Sequence, residues 1–406
     1  MPQDVPAVRL PLPAGGPLDP PPDHRRLRDR CPVATAELPS GDTGTLLTRY
    51  DHVRALLSDT RFSRPTAEDD AARIAPEGAG GPSTNSDMAL RLPQHGEGHL
   101  RWRRLLGKYF TAKRMTSLRP GMVTTVEALV DAMTKEGREA DLKAALGFPF
   151  PVYVICDLLG APAGHRDRFS HWSDSFLNVD RWTKEQTAAA HTEFTGYMTA
   201  LVAAKRAEPG EDVISLLIEE SRAEGAGLTD PELVATAMGL LVAGHETTAN
   251  MIGKMAALLL ADRARWERLL AEPALIRTAV EEVLRTDANL GNYGARRFLT
   301  EDFEVGGTTL PGGSTVFCLL SAANRDERHF TDADAVDLAR SPNTHLTFGA
   351  GPHSCLGQSL ARTELQVVLE VLLRRLPTLE LAVPVEELHT IDGLTVGGLR
   401  EVPVRW

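Results

Sequence analysis

Several patterns are absent from this chain of 406 residues, and each absence excludes a class of protein. The four cysteines, at positions 31, 156, 318 and 355, lie far apart and form no CxxC or CxxCH pair. That spacing argues against a disulfide framework, a zinc ribbon and a covalently attached c-type cofactor. No run approaches the roughly 18 consecutive apolar residues that a membrane-spanning helix needs. The first residues lack the basic start and apolar core of a signal peptide, so we expect a cytoplasmic protein.

Positive charge is also in deficit, because 44 basic residues face 55 acidic ones and the formal net charge is −11. This balance argues against non-specific binding to nucleic acid, which depends on neutralising phosphates. One local exception is a cationic cluster that consists of Arg101, Arg104, Lys108, Lys113 and Arg114. In an acidic chain such a cluster predicts a docking surface for an acidic partner. A solvated helix face is the alternative.

The chain shows no internal repeat and no linker between independent domains. Residues 1–23 are rich in proline and glycine and predict an irregular N-terminal segment. Helical patterns dominate from about His99 to Arg285, and short strand patterns follow Arg297. The polar segment Arg61–Gln94 is long for a structureless connection, which favours a functional loop over a disordered surface loop.

One predicted helix is long enough to cross a whole domain. Thr229 and Glu232 form a capping box at its start, Pro231 occupies its first turn, and no proline interrupts the next thirty residues. Residues 238–243 are apolar all round, so we expect the helix to be buried. The polar sequence GHETT at residues 244–248 follows in its middle, and buried polar groups need partners or a purpose.

A second motif, FGAGPHSCLG, predicts a tight loop immediately before a helix. Its three glycines and one proline rule out regular structure, and Cys355 falls where the next helix begins. The positive end of a helix stabilises a thiolate, so this sulfur is expected to be a metal ligand or a nucleophile. Because no further ligand has metal-site spacing, a single axial bond to haem iron fits best.

The same motif resembles the haem-binding signature of the cytochromes P450, the haem–thiolate monooxygenases. The positions that match are Phe348, Gly349, Gly351, His353, Cys355 and Gly357. The resemblance implies that Cys355 is the axial ligand of haem b. It also implies one domain over residues 1–406, mainly α with a minor β region. In this triangular prism fold the haem lies between the long central helix and the cysteine-loop helix.

The GHETT segment resembles the oxygen-activation motif of that family. By this resemblance Ala243 and Gly244 lie beside the porphyrin, and Gly244 leaves room for dioxygen. Glu246 and Thr247 would relay protons to dioxygen, with Thr248 as the alternative alcohol. A solvent-facing polar patch is the other interpretation, and the apolar residues on both sides argue against it.

Two further elements match the family. Glu282 and Arg285 resemble its E-x-x-R pair, whose third, basic partner is expected at Ala335, so the triad is either incomplete or completed from elsewhere. The resemblance also assigns the haem propionates to His99, Arg103, Arg297 and His353. Buried carboxylates require such basic partners.

The implied reaction inserts one oxygen atom of dioxygen into a small organic substrate, and motif style resembles bacterial enzymes that tailor secondary metabolites. Electrons would come from a separate ferredoxin or flavodoxin and its reductase. A non-inserting oxidative coupling and a haem–thiolate sensor are the alternatives. By family position the substrate contacts are Leu240, Ala243, Asn292, Tyr293, Thr395 and Val396, with walls from Arg61–Gln94 and from residues 169–182.

Overall fold

The computed structural model describes residues 7–62, 64, 71–76, 92–223, 227–287, 290 and 292–406. Most of the predicted loop Arg61–Gln94 lies outside these residues. The helices are α1 (Asp23–Arg30), α2 (Tyr50–Ser58), α3 (Gly96–Gly107), α4 (Ala112–Lys135), α5 (Pro149–Leu159), α6 (Arg166–Leu177), α7 (Lys184–Ala207), α8 (Val213–Ala223), α9 (Asp230–Leu260), α10 (Arg263–Ala271), α11 (Ile276–Thr286), α12 (Leu320–Ala323) and α13 (Gln358–Arg375). None of them is long and apolar enough to cross a bilayer, in the part of the chain that is described.

The strands are short and form three small sheets. They are β1 (Val8–Arg9), β2 (Val33–Glu37), β3 (Thr43–Leu47), β4 (Glu139–Asp141), β5 (Ala295–Phe298), β6 (Phe303–Val305), β7 (Thr308–Leu310), β8 (Thr315–Cys318), β9 (Glu380–Leu381) and β10 (Pro403–Arg405). Their orders are β1-β2-β3-β8-β5, β4-β10-β9 and β6-β7. The predicted architecture, mainly α with a minor β region, is confirmed. Strand β1 lies within the N-terminal segment that was expected to be irregular.

Helix α9 is the long central helix that the sequence predicts. It spans 31 residues, or about 46 Å at a rise of 1.5 Å per residue. The capping box is formed as expected, because the Thr229 side chain accepts from the Glu232 backbone and the Glu232 carboxylate accepts from the Thr229 N–H at 2.7 Å. Helices α5, α6, α7 and α13 pack against α9, which buries its polar middle.

The five-stranded sheet sets the direction of two arginines. Strand β5 pairs antiparallel with β8, which places Arg296 opposite Phe317 and Arg297 opposite Val316. Successive side chains of a strand point to opposite faces of the sheet. Arg296 and Arg297 therefore leave β5 in opposite directions.

Candidate active site

The Cys355 loop is held in shape by backbone bonds and by glycine. The Cys355 N–H donates to the Phe348 carbonyl at 2.7 Å. Gly351 has a φ of +68°, and a Cβ there would lie 2.5 Å from the Leu57 carbonyl oxygen of α2. Only glycine combines this left-handed backbone with so close an approach. Helix α13 begins at Gln358, so Cys355 lies three residues before the helix rather than at its first residue.

The Cys355 side chain is accessible, yet burial among the surrounding residues is the largest influence on the thiol and raises its pKa. The Gly357 N–H and the charges of Arg103, Arg64 and Arg362 lower the pKa, as the helix-terminus argument expects, but they do not outweigh burial. A thiolate here needs a further cation, and coordination to a metal ion supplies one. A Cβ at Gly357 would meet nothing within 4 Å, so this glycine borders open space two residues after the cysteine.

The four residues that were predicted to bind propionates lie together. The rings of His99 and His353 are stacked with centroids 4.2 Å apart. The charges of Arg103 and Arg297 lower the pKa of both histidines, after burial, to about 4 for His99 and about 2 for His353. The buried Arg297 Nε has no hydrogen-bond partner, and among the described residues no ion pair joins this group to a carboxylate. A basic group without a buried acid fits the two carboxylates of a haem.

The E-x-x-R pair is part of a complete triad, which confirms the second alternative left by Ala335, namely that the triad is completed from elsewhere. Glu282 and Arg285 are fully buried and joined by two bonds of 2.8 Å. The third cation is Arg340, whose Nε donates to both Glu282 oxygens at 3.1 and 3.0 Å. Ala335 contributes its carbonyl, which accepts from Arg285 at 2.9 Å. The Asn343 amide adds a bond of 3.0 Å to Glu282.

This triad supports the segment that leads into the cysteine loop. Thr347 donates to the Leu284 carbonyl at 2.6 Å and accepts from the Asn324 amide at 2.9 Å. The guanidinium of Arg362, on α13, lies 4.4 Å from the centre of the Phe348 ring and is paired with Glu281. Phe348 is therefore held at both ends: its ring packs against Arg362 of α13, and its carbonyl accepts from the Cys355 N–H.

In the middle of α9, Ala243 is accessible although the helix around it is buried. A Cβ at Gly244 would lie 3.1 Å from the Ile155 Cδ1 of α5, so the glycine also accommodates a neighbouring helix. That Gly244 makes room for dioxygen stays a prediction, and the accessible neighbour of this glycine is Ala243.

Glu246 is buried in a polar cluster between helices. Its carboxylate accepts from Asn250 at 3.0 Å, and burial raises its pKa against the opposing charge of Lys143. Burial and then the charge of Glu246 raise the pKa of half-buried Asp174 to about 6. The Thr247 hydroxyl, one position further along α9, donates to the Ala243 carbonyl at 2.7 Å.

A second buried acid was not predicted. Glu364 of α13 is 1% exposed, both of its oxygens lack a hydrogen-bond partner, and burial raises its pKa well above the usual value. The Thr248 hydroxyl is near enough to oppose that rise slightly. The signal for Glu364 was present in the sequence, because it falls on the apolar face of α13, one turn from Leu360 and Val368.

The predicted substrate contacts fall into two groups. Asn292 and Thr395 form the first group, because each makes a hydrogen bond to a segment that is distant in the sequence. The Asn292 amide donates to the Leu394 carbonyl at 3.4 Å, and the Thr395 N–H donates to the Leu177 carbonyl at 2.9 Å. Leu240 is half-buried and Ala243 is accessible, whereas Tyr293 and Val396 are buried. Trp172 is fully buried against Phe194, which supports a core role for that tryptophan.

The cationic cluster is weaker than its sequence suggests. Arg104 pairs with Glu97 at 2.7 Å, and Lys108 contacts Glu220 of α8. Arg101 donates to the Gly227 carbonyl at 2.9 Å. Three of its five charges are thus engaged within the chain.

Comparison with known proteins identifies the family. The family model described as Cytochrome P450 matches residues 170–396, more than half of the chain. The chain is 41% identical to Nocardicin C N-oxygenase of Nocardia uniformis subsp. tsuyamanensis over 96% of both chains. It is also 41% identical to Mycinamicin IV hydroxylase/epoxidase of Micromonospora griseorubida over 94% of both chains.

Solved structures show the same relationship. One of them is SgvP, a putative thioether synthase involved in the tailoring step of griseoviridin. It has a TM-score of 0.93 and 36% sequence identity, and the match covers 99% of this chain and 100% of that one. A mutant of the mixed-function P450 MycG in complex with mycinamicin IV has a TM-score of 0.87 and 39% identity, with the same coverage. The fold and the cysteine loop define a haem–thiolate oxidoreductase. The chain belongs to the cytochrome P450 family and is a monooxygenase.

Proposed function

We propose that this monooxygenase uses haem b to insert one oxygen atom into a small organic intermediate of bacterial secondary metabolism. The names of its relatives support the substrate class, because they include a hydroxylase/epoxidase and an N-oxygenase that act on such compounds. We further propose that residues 1–406 work as one domain in the cytoplasm, where the four free cysteines stay reduced.

The observation that carries this proposal is that the charge of one arginine acts both on Cys355 and on the histidines of the basic group. The charge of Arg103 acts on the Cys355 thiol, and Arg103 also acts on His99 and His353. Cys355 would therefore bind the iron while Arg103, Arg297 and the two histidines hold the haem carboxylates. When bound, the haem supplies dioxygen activation, which a thiolate ligand promotes.

The proton path in this proposal runs through α9. Asp174, with a pKa of about 6, can exchange protons with solvent near neutral pH, and its charge is coupled to that of buried Glu246. Glu246 then carries a proton towards Thr247. The Thr247 hydroxyl donates to the carbonyl of Ala243, the accessible residue of the helix, so its oxygen lies close to that residue.

Electron delivery is proposed to come from a ferredoxin or flavodoxin with its reductase. The acidic charge of the chain leaves few cationic surfaces for such an acidic partner. With Arg101, Arg104 and Lys108 engaged, the remaining candidates of the cationic cluster are the exposed Lys113 and the half-buried Arg114, whose guanidinium lies over the Tyr109 ring.

A second candidate function is a non-inserting oxidation. It is favoured by the likeness to SgvP, since making a thioether joins carbon to sulfur without adding oxygen. Product formed per NADPH consumed, with mass analysis for one added oxygen atom, separates insertion from coupling. A sensor would form no product at all.

The haem–thiolate assignment is tested with the absorption spectrum of the reduced carbon monoxide complex. The purified protein should show the red-shifted Soret band of a thiolate-ligated haem, and Cys355→His should abolish it. Cys318→Ser, which removes a buried thiol on strand β8, is the matched control and should keep the band. A red-shifted band that survives in Cys355→His would show that another residue is the ligand.

A further inference from the structure

Arg296 and Arg297 are adjacent in β5 but face different surroundings. Arg297 points toward His99 and His353, because its charge lowers the pKa of both. Arg296 lies opposite Phe317 in the β5–β8 pair and so leaves on the other face of the sheet. The charge that acts on it is that of Arg64, a cation that also acts on Arg297, His99 and His353.

The face of the sheet that carries Arg296 adjoins segments that are expected to contact substrate. Phe317 belongs to an apolar cluster that includes Ala72, Ile74, Val179 and Tyr293, together with residues of the N-terminal strands. Those four residues come from the 61–94 segment, from residues 169–182 and from residues 292–295. Strand alternation therefore turns Arg296 towards these segments and away from Arg297, while the charge of Arg64 acts on both arginines.

Arg296 also lacks an internal counter-charge. Its Nη1 is buried without a hydrogen-bond partner, and burial is the main cause that lowers its pKa, to about 10. In the described ranges no ion pair or hydrogen bond joins its guanidinium to a carboxylate. The side chain as a whole is half-buried, but a buried donor of a cation without a partner is costly, so this group is expected to meet an anion when substrate is bound.

We infer that Arg296 binds a carboxylate group of the substrate. The inference rests on the proposed function and adds a substrate class to it. A haem brings two carboxylates, and the proposed function assigns these to His99, Arg103, Arg297 and His353, so Arg296 is available for a third. A planar guanidinium suits a carboxylate because two N–H groups can bond its two oxygens. Nearby Arg64 adds positive potential to the same region.

The test uses purified holoenzyme and pairs of ligands that differ only in charge. Decanoate with decanamide, 4-phenylbutyrate with 4-phenylbutanamide, and 2-naphthylacetate with 2-naphthylacetamide form the panel, and dissociation constants are measured by equilibrium dialysis. For at least one pair the acid should bind about 10- to 100-fold more tightly than its amide, as expected for a charge-assisted bond. Arg296→Gln should reduce that ratio to near one, and Arg296→Lys should retain most of it. Arg30→Gln, an exposed arginine of α1, should leave it unchanged.

Three outcomes would overturn the inference. The first is that no acid in the panel binds better than its amide, and the second is that Arg296→Gln keeps the preference. The third is that Arg296→Gln transfers haem to apomyoglobin as fast as Arg297→Gln does, which would make the haem the source of the carboxylate. Failure of the proposed function is seen separately, because the carbon monoxide spectrum is recorded before any acid is added.

Discussion

Removing Arg340 should destabilise the protein measurably, because its guanidinium closes the buried triad. In Arg340→Ala, Glu282 loses two charge-assisted bonds, and the carbonyls of Thr331 and Asp332 lose donors at 2.8 and 3.1 Å. Glu282 keeps its bonds to Arg285 and Asn343, so the loss stays below that of an unpaired buried charge. A bond to a charged group contributes about 1.5–3 kcal/mol, and we expect a total of about 2–3 kcal/mol.

That free energy converts to a small but readable shift in Tm. An unfolding entropy of about 2.1 cal/mol/K per residue, applied to 406 residues, gives a decrease of about 2–4 °C. Calorimetry or thermal circular dichroism of the holoprotein measures it. Arg340→Lys keeps the charge without the planar donors and should lose about half as much. Arg400→Ala, at an arginine with 62% of its side chain exposed, is the surface control. A Tm of Arg340→Ala equal to that of the parent would mean that Arg285 and Asn343 satisfy Glu282 alone.

Three further predictions follow from single contacts. Gly244→Val should lower the free energy of unfolding by about 1–3 kcal/mol, because its side chain clashes with Ile155. In the double variant, Ile155→Ala should recover part of that loss, as measured by urea unfolding, and additive effects of the two substitutions would contradict the contact. Burial raises the folded-state pKa of Glu364 above its unfolded value, so the unfolding free energy of the parent should fall as pH rises from the unfolded pKa through the folded one. Glu364→Gln should lack that slope, and parallel pH curves for parent and variant would refute the prediction. Thr247→Ala should bind haem and substrate and consume NADPH but release hydrogen peroxide, with product per NADPH reduced by about 10²-fold or more, and full coupling would exclude the role.

Local patterns in the sequence were sufficient for the elements that position the site. The capping box fixes the start of α9, and the glycine-rich loop with its cysteine is found as predicted. These features depend on neighbours within a few residues, which the sequence contains. The resemblance to the P450 family and the four propionate candidates, which the structure brings together around His99 and His353, complete what could be predicted.

What the sequence missed depends on how distant segments meet. The third member of the triad was expected at Ala335, but the turn-rich stretch reverses at Asp332, which has a φ of +48°, and Arg340 is the residue that reaches Glu282. No periodicity in such a stretch predicts which side chain points inward. Likewise, the neighbour of Gly244 comes from α5, and the partner of Lys108 comes from α8. Neither contact leaves a local pattern.

The two threonines in the middle of α9 are now distinguished by what they contact. Adjacent helical residues are rotated by about 100° about the axis, so Thr247 and Thr248 cannot serve the same acid equally. Thr247 follows Glu246 and bonds to Ala243, the accessible position, whereas buried Thr248 lies near Glu364 of α13. Glu364 has no hydrogen-bonded path to a half-buried acid among the described residues, while the charge of Glu246 is coupled to that of Asp174. A proton drawn from solvent is therefore expected to travel by Asp174, Glu246 and Thr247, and Thr248 to act on Glu364 alone.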